Sequence, residues 1–228
     1  MNQPLVSIVT VTKDRRRFFP TLVHTIKSQD IGIENVEWII VDEGRDPIFD
    51  QVSDLRFVKY YYQDKFTTLG RKRNFSNALA SGEYVAYFDD DNYAFPNRLS
   101  ASVEALRADP AVEIVGTSEM YVFDRDLNQA YVCGPFGHNH ATLGTWCFRR
   151  SLLNHTNFDD QANSGEEFAF TWGWSVPIGQ IDKSSANMCF EHGGNTVSKR
   201  HLREGARDFC DLRDLLRDEV ALAFFSAY

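Results

Sequence analysis

Asp89, Asp90 and Asp91 stand side by side, followed directly by Asn92. Clustered carboxylates repel one another unless a cation or strong hydrogen-bond donors compensate. A hard divalent ion is the natural compensator, and Mg2+ or Mn2+ held this way keeps positions open for phosphate oxygens. A second acidic pair, Glu166-Glu167, follows Ser164-Gly165 and predicts the first turn of a short helix, where the dipole favours acids. Arg71, Lys72 and Arg73 place cations near the start of another predicted helix, suited either to a solvated face or to phosphate charge. His192 ends a strand-like run in Glu-His-Gly-Gly-Asn, as a hydrogen-bonded structural group or a metal ligand. His138 and His140 lie in a Gly- and Asn-rich stretch that predicts a loop over the site.

Composition narrows the classes. The 228 residues suit one large domain, and 43% hydrophobic with 14% aromatic content is enough for a packed interior, which excludes wholesale disorder. A net charge of -8 argues against a general nucleic-acid binder, and obliges any phosphate ligand to meet local cations or a metal. Cys133, Cys147, Cys189 and Cys210 form no Cys-x-x-Cys pair, so neither a zinc site nor a disulfide scaffold is expected. Met1-Asn2-Gln3-Pro4 leads into a strand-like run without a signal-peptide pattern, and no apolar run approaches the ~20 residues of a membrane span. These features predict a soluble, cytoplasmic protein.

The elements that must position the acids follow from periodicity. Leu5 to Thr12 is a β-branched run suited to a buried parallel strand, and Phe18 to Gln29 carries helical spacing. Val36 to Val41 and Arg56 to Tyr62 read as further strands. Leu69 to Ser81 predicts a helix closed by Gly82, and Tyr84 opens the strand that delivers the three acids at its tip. Alternating strands and helices predict an α/β fold, with a Rossmann-like, mostly parallel central sheet flanked by helices. In such sheets ligands bind at the carboxyl ends of the strands. Val11–Thr12, Asp42–Glu43 and Asp89–Asp91 should therefore face one crevice.

Beyond the predicted helix from Pro96 to Arg107 the alternation fades into short strand-like runs at Val112–Gly116, Met120–Phe123, Ala130–Val132, Thr145–Phe148 and Met188–Phe190. The tail from Leu202 to Phe225 mixes Arg203, Arg207, Arg213 and Arg217 with Glu204, Asp208, Asp211, Asp214 and Asp218. Mixed charge opposes tight binding to anionic lipid. The tail is expected to pack on the domain or against a second copy in a homo-oligomer.

With these stations in order, the sequence resembles the inverting nucleotide-sugar glycosyltransferases of family 2, which have the A-type glycosyltransferase fold. Val6 to Arg15 is similar to the family's opening strand and Tyr-Asn-Arg turn, with Lys13-Asp14 replacing Tyr-Asn. Trp38-Ile39-Ile40-Val41-Asp42-Glu43-Gly44 resembles the second strand with its paired acids. Gly70 and Arg73-Asn74, then Ala80 to Ala86, match the helix and strand before the metal motif. Phe88-Asp89-Asp90-Asp91-Asn92 stands where the family has its Asp-x-Asp signature. Phe148 to Leu152, Phe158-Asp159-Asp160 and Gly165-Glu166-Glu167 follow the order of the acceptor half. The resemblance runs from about residue 5 to residue 200.

That resemblance implies a single glycosyltransferase domain over 1–228, with a nucleotide-sugar-binding half (1–100) and an acceptor-binding, catalytic half ending in a C-terminal helix (101–228). The implied activity moves a sugar from a nucleotide-diphosphate donor, a UDP-sugar first, to the hydroxyl of a saccharide or other acceptor in glycan or polysaccharide synthesis. Val11, Thr12 and Lys13 would meet the base, with Asp42 or Glu43 accepting from a ring N–H. Asp89 or Asp90 would bind the ribose, while Asp91, with Asp89 and His192, would hold Mn2+ or Mg2+. Arg71 and Arg73 would stabilise the leaving diphosphate. Inversion needs a base on the face opposite the leaving group. The family carries a Glu-Asp pair there, and Glu167 replaces the Asp, which leaves Glu166 as the alternative base. Trp146, Trp172 and Trp174 offer stacking faces for a saccharide. Two other classes remain: a nucleotidyltransferase, whose Gly-rich Arg/Lys signature is not visible, and a non-catalytic nucleotide-sugar-binding domain.

Overall fold

The computed structural model describes residues 3–64, 66, 68–195 and 198–228. In chain order its elements are β1 (Val6–Thr12), α1 (Phe19–Lys27), β2 (Val36–Asp42), α2 (Phe49–Val52), β3 (Val58–Tyr62), α3 (Leu69–Ala78) and β4 (Tyr84–Tyr87). There follow β5 (Tyr93–Ala94), α4 (Arg98–Ala108), β6 (Ile114–Gly116), β7 (Met120–Asp124), β8 (Gln129–Cys133) and β9 (Cys147–Arg149). The chain closes with α5 (Glu167–Phe170), β10 (Ile178–Gln180), β11 (Asn187–Glu191), β12 (Arg207–Cys210), α6 (Leu212–Leu215) and α7 (Glu219–Ala227).

Seven strands form the central sheet in the order β10-β6-β9-β4-β1-β2-β3. All neighbours are parallel except β9, which runs antiparallel to both β4 and β6. The predicted mostly parallel α/β sheet is thus the observed one. Because β9 reverses direction twice over, β1, β2, β4, β6 and β10 all end at the same sheet edge. Period-two alternation sorts the two faces. Val6, Ile8, Trp38, Ile40, Tyr84 and Ala86 meet Leu22 and Ile26 of α1 and Leu99, Val103 and Leu106 of α4. Val9, Ile39, Val41, Val85 and Tyr87 meet Trp146, Phe148, Phe158 and Phe170. Trp146 is therefore core, fully buried, and no saccharide platform.

A second, five-stranded sheet in the order β12-β8-β7-β11-β5 carries the rest. Its strands are two to five residues long, too short for periodicity to announce them as one sheet. Asn92 ties the sheets together: its side-chain N–H donates to Asp89 Oδ2 at 2.9 Å, and its Oδ1 accepts from Phe190 N at 3.1 Å. This bond brings the end of β11, and with it His192, beside the acids.

Two local expectations shift. Helix α3 stops at Ala78 rather than Ser81, because Glu37 Oε1 draws Ser81 out of the helix by accepting from both its N–H and its hydroxyl. Gly82 is consequently not a helix cap. A Cβ there would lie 2.6 Å from Ser7 N, so glycine is what lets β4 enter against β1. The tail divides into a 3-10 turn, β12, α6 and the C-terminal helix α7. Leu212, Leu216, Ala221, Leu222 and Phe225 pack with Phe18, Tyr93, Phe123 and Phe190, so the tail lies on its own domain.

Candidate active site

Strand β4 delivers Asp89, Asp90 and Asp91 at the edge where β1 and β2 also end. Thr12 Oγ1 donates to Asp90 Oδ2 at 2.6 Å. Burial first, then the charge of Asp91, pushes the Asp90 carboxyl well above the usual carboxylate range. Asp89 is raised as well, chiefly by burial. Gly144 leaves room for it, since a Cβ at that position would meet Asp89 Oδ2. Burial works against the charge of Asp91, yet the His192 hydrogen bond, Lys199 and Arg15 hold its carboxyl below the ordinary value. The triplet is thus split electrically, with the pKa of Asp91 held down and those of Asp89 and Asp90 pushed up.

Cations that sequence reasoning did not place surround these acids. Arg15 lies 3.9 Å from both Asp90 Oδ1 and Asp91 Oδ2 and donates to Gly194 O at 2.5 Å. Arg98, 1% exposed, sits with its guanidinium 4.1 Å from the Phe88 ring centre and donates to Gly144 O at 2.8 Å. Lys72 Nζ donates to Thr12 O at 2.5 Å and lies 3.6 Å from Glu43 Oε1. Burial lowers its pKa, against the pull of Glu43, Asp42 and Asp90. Lys72 therefore faces the crevice, whereas Arg71 is exposed.

The base-recognition residues separate in the same way. Asp42 is 1% exposed, and its carboxylate already accepts from Gly44 N at 2.8 Å, Ile48 N at 3.1 Å and Tyr60 Oη at 2.7 Å. It builds the turn after β2 and offers no face to a ligand. Removing such a shared acceptor strands buried donors, at a cost of about 1–3 kcal/mol each. Asp42→Ala is expected to lower unfolding stability by roughly 2–4 kcal/mol, read from urea titration, with any loss of nucleotide binding following from the disordered turn. Glu43, by contrast, is partly exposed between Lys13 at 3.7 Å and Lys72. Val11, Thr12, Lys13 and Glu43 thus line the β1–β2 edge as expected.

His192 joins the acids differently from the expected metal ligand. Its Nδ1 accepts from Gly194 N at 3.1 Å, so in the neutral ring Nε2 carries the proton and donates to Asp91 Oδ2 at 3.2 Å. Phe18, Phe190 and Tyr228 enclose the ring at centroid distances of 5.0–5.5 Å. With both nitrogens engaged, His192 orients Asp91 and has no lone pair to offer an ion in this arrangement. Among the described residues no three His, Cys, Asp or Glu side chains converge as a metal-binding group. Asp91 Oδ1 and Asp89 Oδ1, however, take no hydrogen bond among the described residues. Two hard oxygens with the remainder supplied by phosphate and water is the ligand set Mg2+ and Mn2+ prefer. The residues fit such an ion through Asp91 and Asp89.

The two glutamates of α5 and its entry have opposite environments. Glu166 Oε1 accepts from Arg73 Nε at 2.8 Å, with both side chains buried and Arg73 also 5.1 Å from the Tyr87 ring centre. Glu166 is the counter-ion of Arg73, which engages it through Nε. Glu167 is half-buried and, among the described residues, makes no side-chain ion pair or hydrogen bond beyond one with its own backbone N–H. Burial raises its pKa, and the charges of Glu166 and Asp89 raise it further against Arg73. Of the two glutamates it is therefore the one whose carboxylate is not already an ion-pair partner among the described residues.

A sequence profile of glycosyl transferase family 2 matches residues 7–155, which span β1 through the acids to the turn after β9. The chain belongs to glycosyl transferase family 2. A relative from Escherichia coli K12, named for colanic acid biosynthesis as the glycosyl transferase WcaA, is 33% identical over 180 residues. That alignment covers 76% of this chain and 58% of the relative, so the chain spans little more than half of that protein's length. Among solved structures, S. aureus TarS 1-349 in complex with UDP-GlcNAc superposes with a TM-score of 0.67 at 18% identity, over 83% of this chain and 59% of that fragment. The mannosyltransferase PcManGT from Pyrobaculum calidifontis, in complex with GDP-Man and Mn2+, superposes at 0.60 and 16%, over 90% and 60%. These likenesses establish the A-type glycosyltransferase fold.

Proposed function

We propose that the chain is a metal-dependent, inverting glycosyltransferase that moves a sugar from a nucleotide-diphosphate donor, a UDP-sugar first, to a saccharide hydroxyl in polysaccharide synthesis. In this reading residues 1–100 hold the donor and residues 101–228 hold the acceptor and the base. The base of the nucleotide lies along Val11, Thr12 and Lys13, with Glu43 as the acceptor for a ring N–H and Asp90 toward the ribose. Asp91 and Asp89 would hold Mn2+ or Mg2+, which supplies charge neutralisation at the leaving diphosphate. Arg15 and Lys72 add fixed positive charge on the same side.

One observation carries the proposal: Glu167 is an unpaired, half-buried carboxylate of raised pKa beside the acids, while its neighbour Glu166 is neutralised by Arg73. Glu167 takes the proton as the acceptor oxygen bonds to the anomeric carbon and the bond to the diphosphate breaks. A base on the face opposite the leaving group dictates inversion.

The deciding experiment incubates the protein with UDP- and GDP-sugars, with and without Mn2+, and follows nucleotide diphosphate release together with the anomeric proton coupling of the product. The reading requires release that depends on the divalent ion and a product of the opposite anomeric configuration. Retention would remove the mechanism.

A further inference from the structure

The residues after the base adopt a backbone that side chains of this size avoid. Trp172, Gly173 and Trp174 follow one another with φ of 50°, 68° and 65°, all in the left-handed region. Such strain in bulky residues persists only where surrounding contacts enforce it, and it concentrates at ligand sites. Thr171 enforces it here. Its carbonyl accepts from Ser175 N at 2.8 Å and Val176 N at 3.1 Å, and its Oγ1 from Trp174 N at 3.1 Å. The same hydroxyl lies 2.8 Å from Glu167 O, so the turn is bolted to the base-bearing helix.

Two rings of this segment face outward: Trp172 is 54% exposed and Phe168, whose ring lies against Gly173, is 62% exposed. Trp174, the third, is half-buried against the core and contacts the His140 ring at a centroid distance of 4.6 Å, and His140 contacts Phe136, 43% exposed, at 5.7 Å. Asn139 fixes this loop by donating to Trp174 O at 2.6 Å, and Gln180 does so by donating to His140 O at 2.9 Å. Beyond the loop, at the carboxyl ends of β6 and β10, opens a cavity of about 440 Å3 lined by Thr117, Ser118, Glu119, His138, Gln180 and Lys183. An aromatic path that starts beside a base and ends in a cavity of hydroxyls, amides and charges matches a chain of sugar rings. Sugars offer flat C–H faces to rings and hydroxyls to polar walls.

We propose that Phe168, Trp172, Trp174 and His140 form an acceptor track for an oligosaccharide of two or more residues, with its growing end at Glu167 and its trailing end in the cavity. The inference rests on the glycosyltransferase reading and extends it from a single hydroxyl to a glycan chain. The track is a positioning device, since none of its rings touches the reacting atoms.

Mono-, di- and trisaccharides of glucose, galactose, mannose and N-acetylglucosamine, titrated at millimolar concentration by saturation-transfer NMR, test it. At least one series should bind saturably and tighten from mono- to trisaccharide. Trp172→Ala should weaken that binding roughly tenfold, the effect of losing a principal aromatic contact, while Trp172→Tyr keeps most of it. Trp172→Gly should lose binding while its Tm holds or rises, because glycine occupies the left-handed region freely. Donor hydrolysis by the wild type keeps the broader reading intact whatever the saccharides do. Absence of saturable binding across the panel overturns the track, as does binding that survives Trp172→Ala within twofold. Trp172-dependent binding to anionic phospholipid vesicles without saccharide binding also overturns it and makes the rings a lipid contact.

Discussion

Glu167→Gln should lower turnover to acceptor by roughly two to four orders of magnitude, the usual worth of a general base, with donor affinity nearly unchanged. The base meets the acceptor and not the diphosphate, so nucleotide titration and turnover should part company. The raised pKa of Glu167 gives a second signature. Its protonated form persists to higher pH than an ordinary glutamate, so kcat/KM should climb through that raised value, and the acid limb should vanish in the Gln variant. The folded state binds this proton more tightly than the unfolded chain, so stability falls as pH rises between the unfolded and folded pKa values. Above that window the wild type carries a half-buried charge, and there Glu167→Gln should unfold later than the wild type. Glu166→Gln should behave in reverse. It loses the carboxylate that neutralises Arg73 in a buried pair, where breaking one side costs about 3–5 kcal/mol. Turnover that fell with Glu166→Gln at unchanged stability would transfer the base role to Glu166.

Asp91→Asn should abolish Mn2+-dependent binding of nucleotide diphosphate while leaving the fold, measured by circular dichroism, as it was. Asp91 is the acid of the three whose pKa is held down, so it is the one that remains an anion for an ion to meet. The amide keeps the shape and accepts from His192 and Asn195 through its oxygen, which isolates charge as the variable. Asp90→Asn should be milder, because that carboxyl already tends to keep its proton. Calorimetry with and without Mn2+ ranks the two variants. Equal metal-dependent affinity in Asp91→Asn and wild type would remove Asp91 from the metal site.

Much of this site was legible because strand ends are easy to read. A β-branched run that stops at acids marks both the strand and its tip, and β1, β2 and β4 bring Thr12, Glu43 and Asp89–Asp91 to one edge for that reason. Helix α3 was harder to phase. It buries Lys72, Arg73, Ser76 and Asn77 and leaves Phe75 partly exposed, so no apolar stripe indicated that Arg71 would face solvent and Lys72 the crevice. Asp42 misled because a carboxylate after a strand looks the same whether it awaits a ligand or closes a turn. Only its three donors distinguish the cases. Lys199 and Arg98 belong to no motif of their own, and their part in the charge around Asp89 emerges only from the folded packing.

The clasp between α3 and the segment before the base has a consequence for how the site comes into being. Arg73 to Glu166, Thr68 to Asp160, Leu69 to Asn163 and Asn74 to Phe158 and Asp160 are bonds between residues 84 to 94 positions apart. Contacts that distant form only after loop closure has been met by the rest of the sheet, which places them late in folding. The edge made by β1, β2 and β4 joins residues 30 to 78 positions apart and lies wholly N-terminal to the segment that carries Glu166 and Glu167. In synthesis from the N-terminus its strands therefore emerge first, and the clasp is completed only when that later segment docks on α3.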